Sequence, residues 1–490
     1  MNKLRLLLTG LLLLTMLVSA CAPTSQPGDA TDTTDPIPNA DTSERDTTYE
    51  DHVPEGLTYN GYNFVMAFPD PADHGLDYQI VEEGGAVTKI DEAVYRRNRT
   101  IEDRFDIKLS GITGGNSDTQ TGFLETAILS DTDAIDLVFI AFTYSGIPWI
   151  TSGYAMPWND VPHLDTSRVY WNQSMIDNLS VLGHTFLLQG DINWPSMNST
   201  QVCFFNSVVA RDKQIENLYE TVRNHEWTFE RFKTIARSVA QDLDHNGVYD
   251  ETDQYGVAMC FYGAVYEIGI AANYLTVLPE EDGFTLNVDT DKFAEIVDYT
   301  YDLIFNHGTT YIERYDYVEE SKGIDIFFDN RALFMLTGLG TGNYFRNEQS
   351  DYGIIPCPKW DENQEKYCTT NDQWGLSCSI PTTTTDPERT GAITEALCAL
   401  SGKLVYPTYY EEVLSIRNTR DDESKEMLNL IFSNVIYDPG ITFGTAEAYV
   451  PLYKLVKDQS SDIASWSARY SGRIQAQFDN LFAFVEDNYE

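Results

Sequence analysis

Basic residues are scarce. Lys and Arg number 32 against 76 Asp and Glu, a formal net charge of −44 over 490 residues. A surface of that sign repels polyanions and speaks against nucleic acid as a partner. Seven histidines are scattered, and seven cysteines form no CxxC pair, so the usual spacing of a zinc site is missing. Neither HExxH nor GxSxG occurs. "GLGTGN" (Gly338–Asn343) lacks the Lys-Ser/Thr that would make it a phosphate cradle, and reads as a flexible loop. Nothing singles out a catalytic pair of carboxylates, and no enzyme activity is expected. No internal repeat is visible, and no apolar stretch is long enough to cross a bilayer.

The chain opens with "MNKLRLLLTGLLLLTMLVSAC": a short basic start, then an apolar run from Leu6 to Val18. That length fits the apolar segment of an export signal. Its end, Val18-Ser19-Ala20-Cys21, resembles a bacterial lipobox. The resemblance implies cleavage after residue 20 and lipidation of Cys21, hence a chain anchored to the outer face of the cell membrane. Loss of Lys3 and Arg5 with the leader would bring the net charge to −46. Residues 21–56, rich in Thr, Asp and Pro, read as a disordered tether.

The remainder exceeds what one core usually holds, so two lobes are expected. Thirty Tyr, 24 Phe and 8 Trp are many. Most are expected in the core, Trp158 and Trp227 among them. An excess of Tyr and Trp also suits a sugar cleft, where aromatic faces stack on pyranose rings. Cys357 and Cys368 flank "PKWDENQEKY", which reads as a hairpin. A disulfide across it and free buried thiols both remain open. Apolar patterns alternate between strand and helix. Tyr62–Phe68 and Ile135–Phe142 read as strands. Val87–Phe105, Trp227–Gln241 (N-cap Thr228) and Asp291–Phe305 read as helices. The alternation predicts α/β lobes with mainly parallel sheets.

Several stretches carry a family likeness: "IDLVFIAFTYSGIPWITSGYAMPW", "FFNSVVA", "EWTFERFKTIA", "DIFFDNRALFMLTG" and "DYGIIPCPKWDENQEKY". In that order, behind a lipobox, they resemble the extracellular solute-binding proteins of bacterial ABC importers, the class of the maltose-binding protein. The resemblance implies an α/β fold of two lobes joined by crossing hinge strands, with a ligand held between them. The N-terminal lobe would take residues 57–192 and 372–404, and the C-terminal lobe 193–371 and 405–490. It implies capture of a carbohydrate, most simply an oligosaccharide, for delivery to importer permease subunits, by a monomer. Peptides, polyols and polyamines stay open as ligands, and a surface glycan-active enzyme or adhesin is the alternative. The matching positions for ligand contact are Thr143, Tyr144, Trp194, Asn198, Ser199, Tyr262, Tyr266, Asn343, Tyr344, Asn371 and Trp374. The family often has a tryptophan where this chain has "GTGNY", which leaves the stacking partner open.

"DLDHNGVYDETD" (Asp242–Asp253) matches the EF-hand pattern D-x-D-x-N-G through six positions. Asp242, Asp244 and Asn246 would supply side-chain oxygens, Gly247 the turn, Val248 its carbonyl and Asp250 the ninth-position ligand. Position twelve is Asp253. Some solute-binding relatives use position ten, here Glu251, and that residue is expected to complete the site. Oxygen-only ligands suit Ca²⁺, in a scaffold role away from the cleft. A solvated acidic turn is the plain alternative.

Overall fold

The computed structural model describes residues 49–69, 79–114, 120–130, 134–259, 261–312, 322–342, 351–371, 375–415, 422–443 and 451–489. Twelve strands are described: β1 (Tyr62–Phe68), β2 (Ile107–Thr113), β3 (Leu137–Ala141), β4 (Ala155–Met156), β5 (Gln201–Asn206), β6 (Tyr255–Met259), β7 (Val277–Glu280), β8 (Gly283–Leu286), β9 (Thr310–Ile312), β10 (Ala332–Gly338), β11 (Tyr352–Ile355) and β12 (Leu376–Pro381).

They form two five-stranded sheets, β2-β1-β3-β12-β4 and β11-β5-β10-β6-β9, with β7 and β8 as a separate hairpin. In the first sheet β1, β2 and β3 run parallel, while β12 is antiparallel to both β3 and β4. In the second, β6, β9 and β10 run parallel and β5 is antiparallel to both neighbours. The sheets are therefore α/β but mixed, where mainly parallel sheets were expected. The cause is topological. Each sheet receives as its fourth strand a segment arriving from the opposite half: β5 follows the first sheet's strands, and β12 follows the second's. Read from one end, both sheets have the same order, a likeness that leaves no repeat in the sequence.

Local signals act as expected. β3 is buried along its whole length, as its unbroken apolar run requires. The first long helix starts at Lys89, because Thr88 and Asp91 close a capping box there. Val87, read as part of its apolar face, lies outside it and is exposed. The Phe229–Val239 helix begins after Thr228, whose hydroxyl accepts from Arg231 N–H at 3.3 Å. It buries Phe229, Phe232, Ala236 and Val239. The Asp291–Phe305 helix has the bounds the sequence predicts. Trp158 and Trp227 are core.

The stretch after β11 is not a hairpin: past a single bridge between Thr228 and Lys359 it runs as turns. Cys357 and Cys368 are free there, as are Cys203, Cys378 and Cys398, all buried. Burial pushes the Cys368 thiol up to about 12, and raises the other four. None is a reactive thiolate. Among the described residues no helix is long and apolar enough to cross a membrane.

Candidate functional site

The register shows where the halves face each other. Gln201, first in β5, pairs with Gly338, the last residue of β10. Leu376, first in β12, pairs with Ala141, the last residue of β3. Both crossing segments thus enter their sheets at the carboxyl ends of the parallel strands. In open α/β sheets that is the end where loops converge on a ligand.

The crossings are built from buried polar groups. The first is a 3₁₀ segment, Asp191–Ser199. Gln189 and Asn193 donate to the Leu376 carbonyl at 2.7 and 3.0 Å, and Leu376 N–H donates to Ser196 Oγ at 2.9 Å. The two crossings also pair with each other. Gln201 N–H donates to Thr370 O at 3.0 Å, Thr369 Oγ1 donates to Gln201 O at 2.7 Å, and Thr200 Oγ1 donates to Asn371 Oδ1 at 3.1 Å. Every one of these groups would cost free energy if buried without its partner, so the network fixes one arrangement of the junction.

Of the residues expected to touch ligand, the structure brings together Trp194 and Asn198, and it adds Tyr409. The Tyr409 hydroxyl donates to Asn198 Oδ1, and its ring lies 5.7 Å from that of Trp194. Gly340 closes in behind: a Cβ there would stand 3.0 Å from Asn198 Cβ. Trp194 is only 5% exposed, and its Nε1–H has no hydrogen-bond partner. Ser199 is buried, and its carbonyl accepts from Gln201 Nε2 at 3.3 Å. Asn371 is buried in the crossing network, with Nδ2 donating to Gln189 Oε1 at 3.4 Å. Tyr266 is 2% exposed and packs in the main core. Thr143 and Tyr144 fall in the Phe142–Thr151 helix and Tyr262 in the Phe261–Ala271 helix. Asn343, Tyr344 and Trp374 lie outside the described residues. Tyr409 was missed by sequence reasoning. Its signal was "YPTYY", which sets Tyr406, Tyr409 and Tyr410 on one helical face.

Two buried acids border the junction. Glu267 is 1% exposed, and burial holds its carboxyl well above the usual range. Asp438 accepts from Thr276 N–H and Oγ1 at 2.5 and 2.8 Å and from Gly440 N–H at 2.6 Å. Burial pushes it up to about 6 despite these donors.

The acidic loop lies elsewhere. A bridge between Gln241 and Gln254 closes it just before β6, at the amino end of that strand and so at the far end of the sheet from the crossings. Asp242, Asp244 and Asp253 can each bring an oxygen within 4.8 Å of the others. Asp242 Oδ2 accepts from Gly247 N–H at 2.8 Å, and this bond holds its pKa low. Its Oδ1 is shielded from solvent and has no hydrogen-bond partner. His245 and Gly247 adopt positive φ, which gives the loop its tight turn. Glu251, expected as the completing ligand, pairs instead with Lys322. Asp253 is the carboxylate that joins the cluster, fully buried, with its oxygens accepting from Leu243 and Asp250 N–H at 2.8 and 2.9 Å. Asp250 Oδ1 is engaged by Thr252. An unpartnered, shielded carboxylate oxygen beside two more carboxylates fits a hard divalent cation.

With this geometry in hand, comparison with solved structures is decisive for the fold. A cyclo/maltodextrin-binding protein complexed with maltotetraose superposes with a TM-score of 0.55 at 11% identity, covering 88% of this chain and 98% of the other. The fold is that of ABC-importer solute-binding proteins. UgpB from Mycobacterium tuberculosis, in complex with glycerophosphocholine, superposes at a TM-score of 0.54 and 13% identity, covering 86% and 99% of the two chains. The galacto-N-biose/lacto-N-biose I-binding protein of the ABC transporter from Bifidobacterium longum gives 0.52 and 14%, covering 87% and 96%. Each of these neighbours holds a small molecule: lacto-N-biose, glycerophosphocholine and maltotetraose. No family model matches the sequence, and no curated protein matches it.

Proposed function

We propose that this chain is a membrane-anchored solute-binding protein that captures a carbohydrate, most simply an oligosaccharide, and hands it to the permease of an ABC importer. The observation that carries the reading is the junction. Two sheets turn the carboxyl ends of their parallel strands toward each other, joined by segments that hydrogen-bond to one another. Ligand binding at such a junction selects a closed arrangement of the halves by contacting it better, and needs no covalent chemistry. Asn198, Tyr409 and Trp194 mark where the floor of the cleft lies. The indole N–H of Trp194 is buried there without a partner.

The experiment is a thermal-shift and calorimetric screen against an oligosaccharide panel. Binding of at least one glycan without release of product is expected. Turnover of a bound glycan would favour a surface enzyme, and exclusive binding of peptides or polyamines would overturn the carbohydrate assignment. The Cys21 anchor has its own test: Cys21→Ser should move the protein out of the membrane fraction, and unchanged retention sinks it.

We further propose Ca²⁺ in the Asp242–Asp253 loop, held by Asp242, Asp244 and Asp253, with Asn246, Asp250 and the Val248 carbonyl as the remaining oxygens of the pattern. Its place at the far end of the sheet supports a scaffold role.

A further inference from the structure

We propose that Tyr49–Val53 is a strap held by the first half and laid over the pivot between the two. The inference rests on reading the molecule as two lobes that move about a junction. The pivot is visible in one long helical run, from Pro387 to Ser415, whose middle turn, Ser401–Val405, is π-helical. A π turn inside an α-helix is rare and frequently lies at a functional site. The run begins against the first sheet, where Arg389 lies 3.6 Å over the Tyr62 ring and 3.6 Å from Asp136. It ends against the second half, where Tyr409 meets Asn198 and the Tyr410 hydroxyl donates to Lys425 O at 2.7 Å. The chain changes halves at the π turn.

Tyr49 sits on that turn. A Cβ on Gly402 would stand 2.4 Å from two carbons of the Tyr49 ring and 2.3 Å from Asp191 Oδ2, so only glycine admits both neighbours. Asp191 opens the first crossing segment, so the ring touches two passages between the halves at once. The strap is fastened just after Tyr49. Arg104 grips Asp51 with two bonds of 2.7 and 2.8 Å and donates a third to Val53 O at 3.0 Å. Arg168 donates to Glu50 O at 3.0 Å. Bidentate pairing of this kind holds geometry as well as charge. The helix that carries Arg104 also carries Arg97, which donates to Ser401 Oγ at 2.9 Å from a fully buried position. One helix therefore holds both the strap and the π turn beneath it.

A force applied at Tyr49 would be delivered at the pivot, where it exerts little torque on either half. The halves can then swing without dragging their attachment.

The test is hydrogen–deuterium exchange on the unliganded full-length chain and two variants. Asp51→Ala unfastens the strap without touching the pivot, and Tyr49→Ala removes the ring alone. Both should speed exchange at the 401–405 amides by about tenfold, with the sheets protected as before. Unchanged exchange at 401–405 in Asp51→Ala overturns the proposal, since Tyr49 would then seat without a strap. Faster exchange spread over the whole first half also overturns it, since the segment would then be ordinary packing. Neither result depends on which ligand is bound, so failure of the carbohydrate reading leaves this test intact.

Discussion

Glu267 is an acid where nothing answers its charge. Thr369, Thr370 and Cys357 face it, with Cys368 close by, and no basic group among the described residues offsets it. Thr369 Oγ1 already donates to Gln201 O. Burial therefore raises the folded-state pKa above the unfolded one. The stability this group contributes is present below the unfolded pKa and is lost as pH rises toward the folded one, so at neutral pH the carboxyl is a burden. Glu267→Gln should stabilise the protein at pH 7–8 by about 1–3 kcal/mol, the cost of an unsatisfied buried polar group, and do little near pH 4. Melting curves across that range check it; a variant less stable at pH 8 would show that the carboxylate is wanted there. Trp194 carries a second prediction. Because its ring is buried against Tyr409, Trp194→Ala should destabilise by about 3–5 kcal/mol, as large core truncations do. Denaturant midpoints decide it: a loss under 1 kcal/mol with affinity abolished would make Trp194 a ligand platform and not a structural one.

The acidic loop gives the sharpest test among the elements. Ca²⁺ should raise the melting temperature and EDTA should lower it. A concentration a hundredfold above Kd corresponds to about 2.7 kcal/mol. Asp244→Ala and Asp253→Asn should abolish the difference, while Glu251→Gln should keep it. Loss of the response in Glu251→Gln instead would mean the loop rearranges to bring position ten inward. Glycan affinity should be the same with and without Ca²⁺ while the protein stays folded. The sequence had shown the loop but not which carboxylate joins Asp242 and Asp244. Which carboxylate turns inward is decided by Lys322, paired with Glu251, and by Arg331, which donates to Asp253 O at 3.3 Å. Both come from elements some seventy residues or more away. The same reason explains what else was legible. Periodicity and caps are local, so the helices at Lys89, Phe229 and Asp291 could be read, as could β1 and β3. Gln189, Asn193, Ser196 and Thr200 look like any polar residues until a strand from beyond residue 370 arrives to use them. Tyr409 likewise acquires a role only when its helix turns back onto Asn198.

In the whole molecule, each sheet is finished by a strand from the other half, and this bears on how the chain can be made. β12 lies between β3 and β4. Until Leu376–Pro381 exists, β3 is left as an unpaired edge, and β4 has nothing to pair with. A chain ending at Thr370 should therefore show no cooperative urea transition for the first half. A steep two-state transition in that fragment would refute the dependence. Native pairing across such a separation is slow to form, because the loop must close before any contact rewards it. The consequence is one of timing. During synthesis the first half cannot complete its fold until roughly three quarters of the chain has been made. For that whole interval the nascent protein stays unfinished and therefore threadable, as a polypeptide must be to pass through a narrow pore before it folds.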